Sequence, residues 1–118
     1  MRLILAIALV LPLCLVAQDK KKGPPPEPKN LKVMTGMSGA EVIQAMRAFR
    51  TALGVECTYC HVQGDFASDE NPKKEVGRMM ISMTREINAK FPDGQQHVRC
   101  FTCHRGTNIP ATEPPPAQ

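Results

Sequence analysis

Two stretches of this chain repeat apolar residues at helical spacing. Val42, Met46, Phe49 and Leu53 follow one another at intervals of four, three and four, and Val76, Met80, Met83 and Ile87 do the same. At about 100° per residue, that rhythm gathers each set onto one face of a helix. Punctuation agrees with the rhythm. Ser38 and Glu41 have the spacing of a capping box, in which each side chain accepts a free backbone N–H, and Gly54 suits the turn that ends a helix. In the second stretch Asn71 serves as cap, Pro72 takes the first helical position, and Phe91, Pro92, Asp93 and Gly94 form the stop. No alternating strand pattern competes with this reading, so the fold class expected is mainly α.

The flanks have a different character. After Met1 and Arg2, residues 3–17 are uniformly apolar, a pattern read as an export leader cleaved after Ala17. Fifteen residues are short for a membrane span. A lipid anchor on Cys14 is the alternative, but Leu13 is bulkier than the residue such processing prefers. Residues 18–30 collect Lys20, Lys21, Lys22 and four prolines, a composition that favours an extended linker, and the tail over residues 110–118 repeats it. The folded domain is therefore expected over residues 31–109. Its core is marginal, because the whole chain of 118 residues offers four Phe, one Tyr and no Trp. A domain this small needs a disulfide, a metal or another staple.

Cysteine supplies the staple. Four of the five Cys lie in two C-x-x-C-H strings, Cys57 with Cys60 and His61, and Cys100 with Cys103 and His104. Each string follows one striped helix, so the chain reads as a duplicated helix-plus-motif unit. The loops differ, with Leu53 four residues before Cys57 and Ile87 13 residues before Cys100. Paired thiols at this spacing can add to two vinyl groups on one porphyrin edge, while the next imidazole turns beneath the ring toward iron. This is the attachment pattern of c-type haem. A thioredoxin-like dithiol needs one pair inside a βαβ unit, and structural zinc or two disulfides give no reason for a His after each pair. The expected cofactors are therefore two covalently attached haem c groups, held by Cys57, Cys60, Cys100 and Cys103, with His61 and His104 as iron ligands. Two macrocycles would also supply the aromatic surface that the side chains lack. The net charge of +4 is mild and contains no block of five or six like charges, so nucleic acid is not an expected partner. Haem propionates would offset most of it.

The sixth ligand separates a carrier from an enzyme. A thioether opposite His closes the iron and raises its potential, whereas an open position admits peroxide or oxygen. Met46 and Met80 hold equivalent places in the two stripes, 11 and 20 residues before the first Cys of their strings, and are the expected axial ligands. Met79 and Met83 are the neighbours that a helix rotation would substitute, and packing is the alternative role for any Met on an apolar face. His97 is the spare imidazole, too near Cys100 along the chain to cross easily to that haem's far side. Arg99 and Arg105 flank the second string, where guanidinium forks fit propionates. A haem enzyme such as a peroxidase is the rival function, but no spare acid–base pair sits beside either string.

Three segments resemble the multihaem cytochrome c subunit of photosynthetic reaction centres. They are Leu53, Gly54 and Val55 with Cys57, Thr58, Tyr59, Cys60 and His61; residues 80–83 with Thr84, Arg85, Ile87 and Asn88; and Cys100, Phe101, Thr102, Cys103, His104, Arg105 and Gly106. The likeness covers residues 38–110. It implies units of a helix along the haem plane, a turn and the C-x-x-C-H string, with a helix Met, here Met46 or Met80, as sixth ligand. The chain corresponds to one two-haem unit, where the reaction-centre subunit resembles two fused. In the fused form a His from one unit ligates a haem of the other, and Gln96, His97 and Val98 are similar to the segment that supplies it. If His97 keeps that role, the implied assembly is a homodimer. The expected function is an exported, periplasmic dihaem cytochrome passing single electrons between redox partner proteins of the periplasm or membrane.

Overall fold

The computed structural model describes residues 23–117, so the export leader and Cys14 lie outside the described residues. It is helical. Helix α1 spans Gly39–Leu53, a single 3-10 turn Cys57–Tyr59, helix α2 Lys73–Asn88 and a short helix α3 Cys100–His104. Among the described residues the only β pairing is one isolated bridge between Val62 and Asp65.

Helix α1 begins and ends as its sequence dictates. The Ser38 hydroxyl accepts from the Glu41 N–H at 3.4 Å, and the Glu41 carboxylate accepts from the Ser38 N–H at 2.8 Å. Gly54 closes the helix in the left-handed conformation, φ 62°, with its N–H on the Arg50 carbonyl. Helix α2 starts one residue later than its sequence suggests, yet Asn71 still caps it: the side-chain oxygen accepts from the Lys73 N–H at 3.0 Å. The helix ends at Asn88, with the Ala89 N–H still donating to the Arg85 carbonyl at 2.9 Å, and a turn carries the chain to Phe91. The Asn88 side chain explains why the following loop holds its shape. Its oxygen accepts from the N–H groups of His97 and Val98, both at 2.9 Å, and its amide donates to the Val98 carbonyl at 2.7 Å. One carboxamide thus replaces the ladder that this segment lacks.

Helix α3 is not among the elements the apolar pattern predicts, since five residues are too few to show a period. It exists because Thr102 caps it, its hydroxyl accepting from the Arg99 N–H at 3.0 Å, and because it docks onto α1. The Gly106 N–H donates to the Ala52 carbonyl at 2.9 Å. Ala52, 6% exposed, is small enough to permit that approach. A Cβ on Gly54 would stand 2.1 Å from the Gly106 oxygen, so the ends of α1 and α3 meet backbone to backbone.

A polar cluster ties the N-terminal segment to α2. Asp69 accepts from Arg78 and Lys32 at 2.8 Å and from Asn30 at 2.9 Å, with Lys74 at 3.2 Å. Arg78 is almost wholly buried and also holds Glu75 at 2.9 Å. The segment that the sequence suggests is an extended linker therefore joins the fold at its C-terminal end, and Pro26 packs its carbonyl against Gly39.

Two outcomes follow from these contacts. Gly54→Ala meets both a left-handed φ and the Gly106 oxygen, and should destabilise by at least about 1–3 kcal/mol in thermal unfolding. Gly36→Ala, at φ 83° with open space around its Cβ position, isolates the backbone cost and should lose less. The cations around Asp69, Arg78 foremost, hold its carboxyl well below the usual range. The contribution is thus present above the unfolded value of about 3.9 and is lost as pH falls below it. Asp69→Asn should lower the Tm at neutral pH and flatten its decline on acidification; an unchanged acid limb would contradict the assignment.

Candidate haem-binding site

The first C-x-x-C-H string forms a tight turn. The N–H groups of Cys60 and His61 both donate to the Cys57 carbonyl, at 3.3 and 3.0 Å. Residues three apart eclipse in a 3-10 turn, which sets the thiols of Cys57 and Cys60 on one side. The second string reaches the same arrangement through α3, where Cys100 and Cys103 share a helix face. All four are free thiols. Burial raises the pKa of Cys60 and of Cys100 above that of an ordinary thiol.

The two histidines are prepared alike. Nδ1 of His61 lies 3.0 Å from the Phe66 carbonyl, and Nδ1 of His104 lies 3.0 Å from the Thr107 carbonyl. A carbonyl can only accept, so each Nδ1 carries the hydrogen and each Nε2 keeps its lone pair. Metal-ligating imidazoles are held in this way, their second nitrogen fixing both tautomer and ring direction. Phe66 also meets the His61 ring edge-on, centroids 5.4 Å apart.

A cavity of about 700 Å³ joins the first set of residues. Val42, Met46, Phe49 and Leu53 line it from α1, Cys57, Cys60 and His61 from the string, and Gly77, Arg78 and Ile81 from α2. All four sequence-predicted residues of the first unit, Met46 included, are thus brought together. Gly77 has open space where a Cβ would lie, so a flat group can approach the α2 backbone there. The basic Lys29, Lys32, Arg47, Arg50 and Lys74 also line it, together with the acidic Glu27, Glu56 and Asp65. Paired thiols, a directed imidazole, a thioether, an apolar wall and nearby cations fit covalently attached haem with its propionates.

The second set is arranged along a surface. Cys100, Cys103 and His104 lie on α3, and Met80 on α2 is half-buried. Its neighbours Met79 and Met83 are more open, at 56% and 45% exposure, and Val76, Ile87 and Phe101 are also exposed. The strings are linked through Asn108, whose amide donates to the Tyr59 hydroxyl at 3.2 Å. Arg99 and Arg105 are both exposed beside α3. His97, offered by the sequence as a ligand for a second copy, has Nε2 on the Asp93 carboxylate at 2.9 Å and stacks on Phe91 at 4.1 Å.

Sequence reasoning missed Lys74, Gly77, Asn88 and the carbonyls of Phe66 and Thr107. A glycine inside an otherwise good helix was the available signal for Gly77. Among the described residues no three His, Cys, Asp or Glu side chains converge as a metal-holding group.

Comparison with known proteins agrees with this geometry. Residues 11–113 match the family described as photosynthetic reaction centre cytochrome C subunit. The chain is 42% identical over 85 residues to cytochrome c-554 of Chloroflexus aurantiacus, covering 67% of this chain and 20% of that protein. It is 35% identical over 96 residues to the photosynthetic reaction center cytochrome c subunit of Thermochromatium tepidum, covering 75% of this chain and 24% of that protein. With the subunit of the same name from Rubrivivax gelatinosus, identity is 36% over 89 residues, covering 70% of this chain and 23% of the relative. The chain thus spans about a fifth to a quarter of the length of these relatives. Both C-x-x-C-H strings fall inside the matched residues, and the chain belongs to the photosynthetic reaction centre cytochrome c subunit family.

Proposed function

We infer that this chain is an exported dihaem c-type cytochrome, a single two-haem unit that passes one electron at a time between redox partner proteins of the periplasm or membrane. The observation that carries the reading is the matched preparation of the two histidines, each with Nδ1 on a backbone carbonyl and Nε2 free beside a pair of thiols. When bound, haem c supplies a one-electron ferric/ferrous couple. The chain does the rest. Cys57 with Cys60, and Cys100 with Cys103, would hold the two groups covalently. His61 and His104 would ligate and orient them. Met46 and Met80 would supply the second protein ligands, and Met80 is the least exposed of the three methionines clustered on α2. The α1 stripe keeps water from the first site. Arg47 and Arg50 beside the first cavity, and Arg99 and Arg105 beside the second string, suit propionate carboxylates.

Export rests on the apolar leader over residues 1–17, and among the described residues no helix is long and apolar enough to cross a membrane. Within this chain His97 pairs with the Asp93 carboxylate.

The deciding experiment is maturation in an exporting host that has haem-attachment machinery, followed by denatured mass and a visible spectrum. The mass should show two covalent haems, and the ferrous protein should not bind carbon monoxide rapidly. A colourless product would refute the reading. Rapid carbon monoxide binding at one iron would replace electron carriage with a haem enzyme.

A further inference from the structure

The two histidine-bearing carbonyls are not equivalent. The Phe66 carbonyl accepts from His61 at 3.0 Å and also from the Lys74 ammonium at 3.0 Å. The same ammonium donates to the carbonyls of Ala67 at 2.8 Å and Ser68 at 2.7 Å, and its side chain is only 12% exposed. Lys74 thus gathers three successive carbonyls of the loop after the first string. At the second string, the Thr107 carbonyl accepts from His104 alone among the described residues.

A carbonyl oxygen has two lone pairs, so both donors fit, but they draw on the same electron density. A cationic donor takes the larger share. The His61 Nδ1–H therefore meets a weaker acceptor than its counterpart on His104. A strong acceptor at Nδ1 makes imidazole a more electron-rich ligand, and this favours the more positive, ferric state. Weakening the acceptor does the opposite. The charge of Lys74 acts in the same direction, since a nearby cation favours the less positive ferrous state. Asp69, 3.2 Å from Lys74, offsets part of that charge but also holds Arg78 and Lys32.

We propose that Lys74 is a positioning residue that raises the reduction potential of the first haem selectively, acting through the shared Phe66 carbonyl on His61. The inference rests on the reading of His61 and His104 as ligands of two haems. The couple concerned moves one electron and no proton, His61 keeping its Nδ1 hydrogen in both states. Electrons in the test are supplied and withdrawn by the electrode.

The test is a spectroelectrochemical titration of the purified dihaem protein, with each couple assigned by paramagnetic resonance contacts to His61 or His104. Lys74→Met should lower the first couple alone, changing its ferrous/ferric ratio at fixed applied potential about tenfold, which is about 59 mV for one electron. Lys74→Arg should stay within threefold of the parent. Lys73→Gln removes the adjacent cation of α2, which lies over the Tyr59 ring and does not touch the Phe66 carbonyl, and should also stay within threefold. Lys73 is exposed. A Lys74→Met change of threefold or less, an equal change at both haems, or an equal effect of Lys73→Gln overturns the proposal. Should Lys74→Met fail to mature with two haems, Asp69→Asn decides: it relieves Lys74 of its anion and should raise the first couple alone by more than threefold, and no rise overturns the proposal. A parent protein without haem defeats the functional reading itself, whereas two haems with unmoved potentials defeat only this inference.

Discussion

The apolar side chains of α1 line a cavity rather than one another, and the remaining architecture accommodates that constraint. Met34 and Ala52 are the buried apolar side chains among the described residues, and none is fully buried. A protein interior normally reaches crystal-like density through side-chain interdigitation. Here the polypeptide is instead fixed by backbone and polar contacts around the edge of the cavity. The capping box of Ser38, the docking of Gly106 on Ala52, the Asn88 carboxamide and the Asp69 cluster each join segments that share little apolar surface. Such contacts are individually modest, each net hydrogen bond contributing about 0.5–1.5 kcal/mol. That balance is consistent with a fold completed by covalently attached groups.

Legibility in the sequence followed physical scale. Helices α1 and α2 were readable because each runs four turns and carries its own stripe and cap. The thiols and imidazoles stood out as candidates because their spacing is fixed, and Met46 because it sits on the α1 stripe that lines the cavity. What sequence could not show was made of backbone. The carbonyls of Phe66 and Thr107 orient the imidazoles, but a carbonyl has no residue identity, so any residue at those positions would have looked alike. Helix α3 escaped for a related reason, its existence depending on the meeting of Gly106 with α1. In the sequence Lys74 is one of two adjacent lysines at a helix start, and only the fold distinguishes it from Lys73, which lies over the Tyr59 ring at 5.6 Å.

The duplicated unit is equal in chemistry and unequal in support. Both strings present two thiols and a directed imidazole, but the first follows α1 almost directly whereas the second is reached through a long loop held by Asn88. The first string is enclosed by α1, α2 and the segment over residues 26–30, while the second stands on α3 beside an exposed apolar face. On the proposed reading, two environments of different accessibility would give the two couples different character.

Helix α2 explains how both environments come from so little polypeptide. At about 100° per residue, Lys74, Gly77, Arg78 and Ile81 cluster on one side of the helix, and Val76, Met80, Met83 and Ile87 cluster roughly opposite. The first group lines the cavity that holds Cys57, Cys60 and His61. The second forms the face that carries the sixth-ligand candidates of the other string. One helix is thus the wall of the first cavity and the carrier of the candidate ligands for the second string, so its two faces are separated by about one helix diameter, roughly 10–12 Å. A change on either face of α2 is therefore a change to the partition between the sites, and Lys74, rooted in that partition and reaching the carbonyl behind His61, is placed to make them differ.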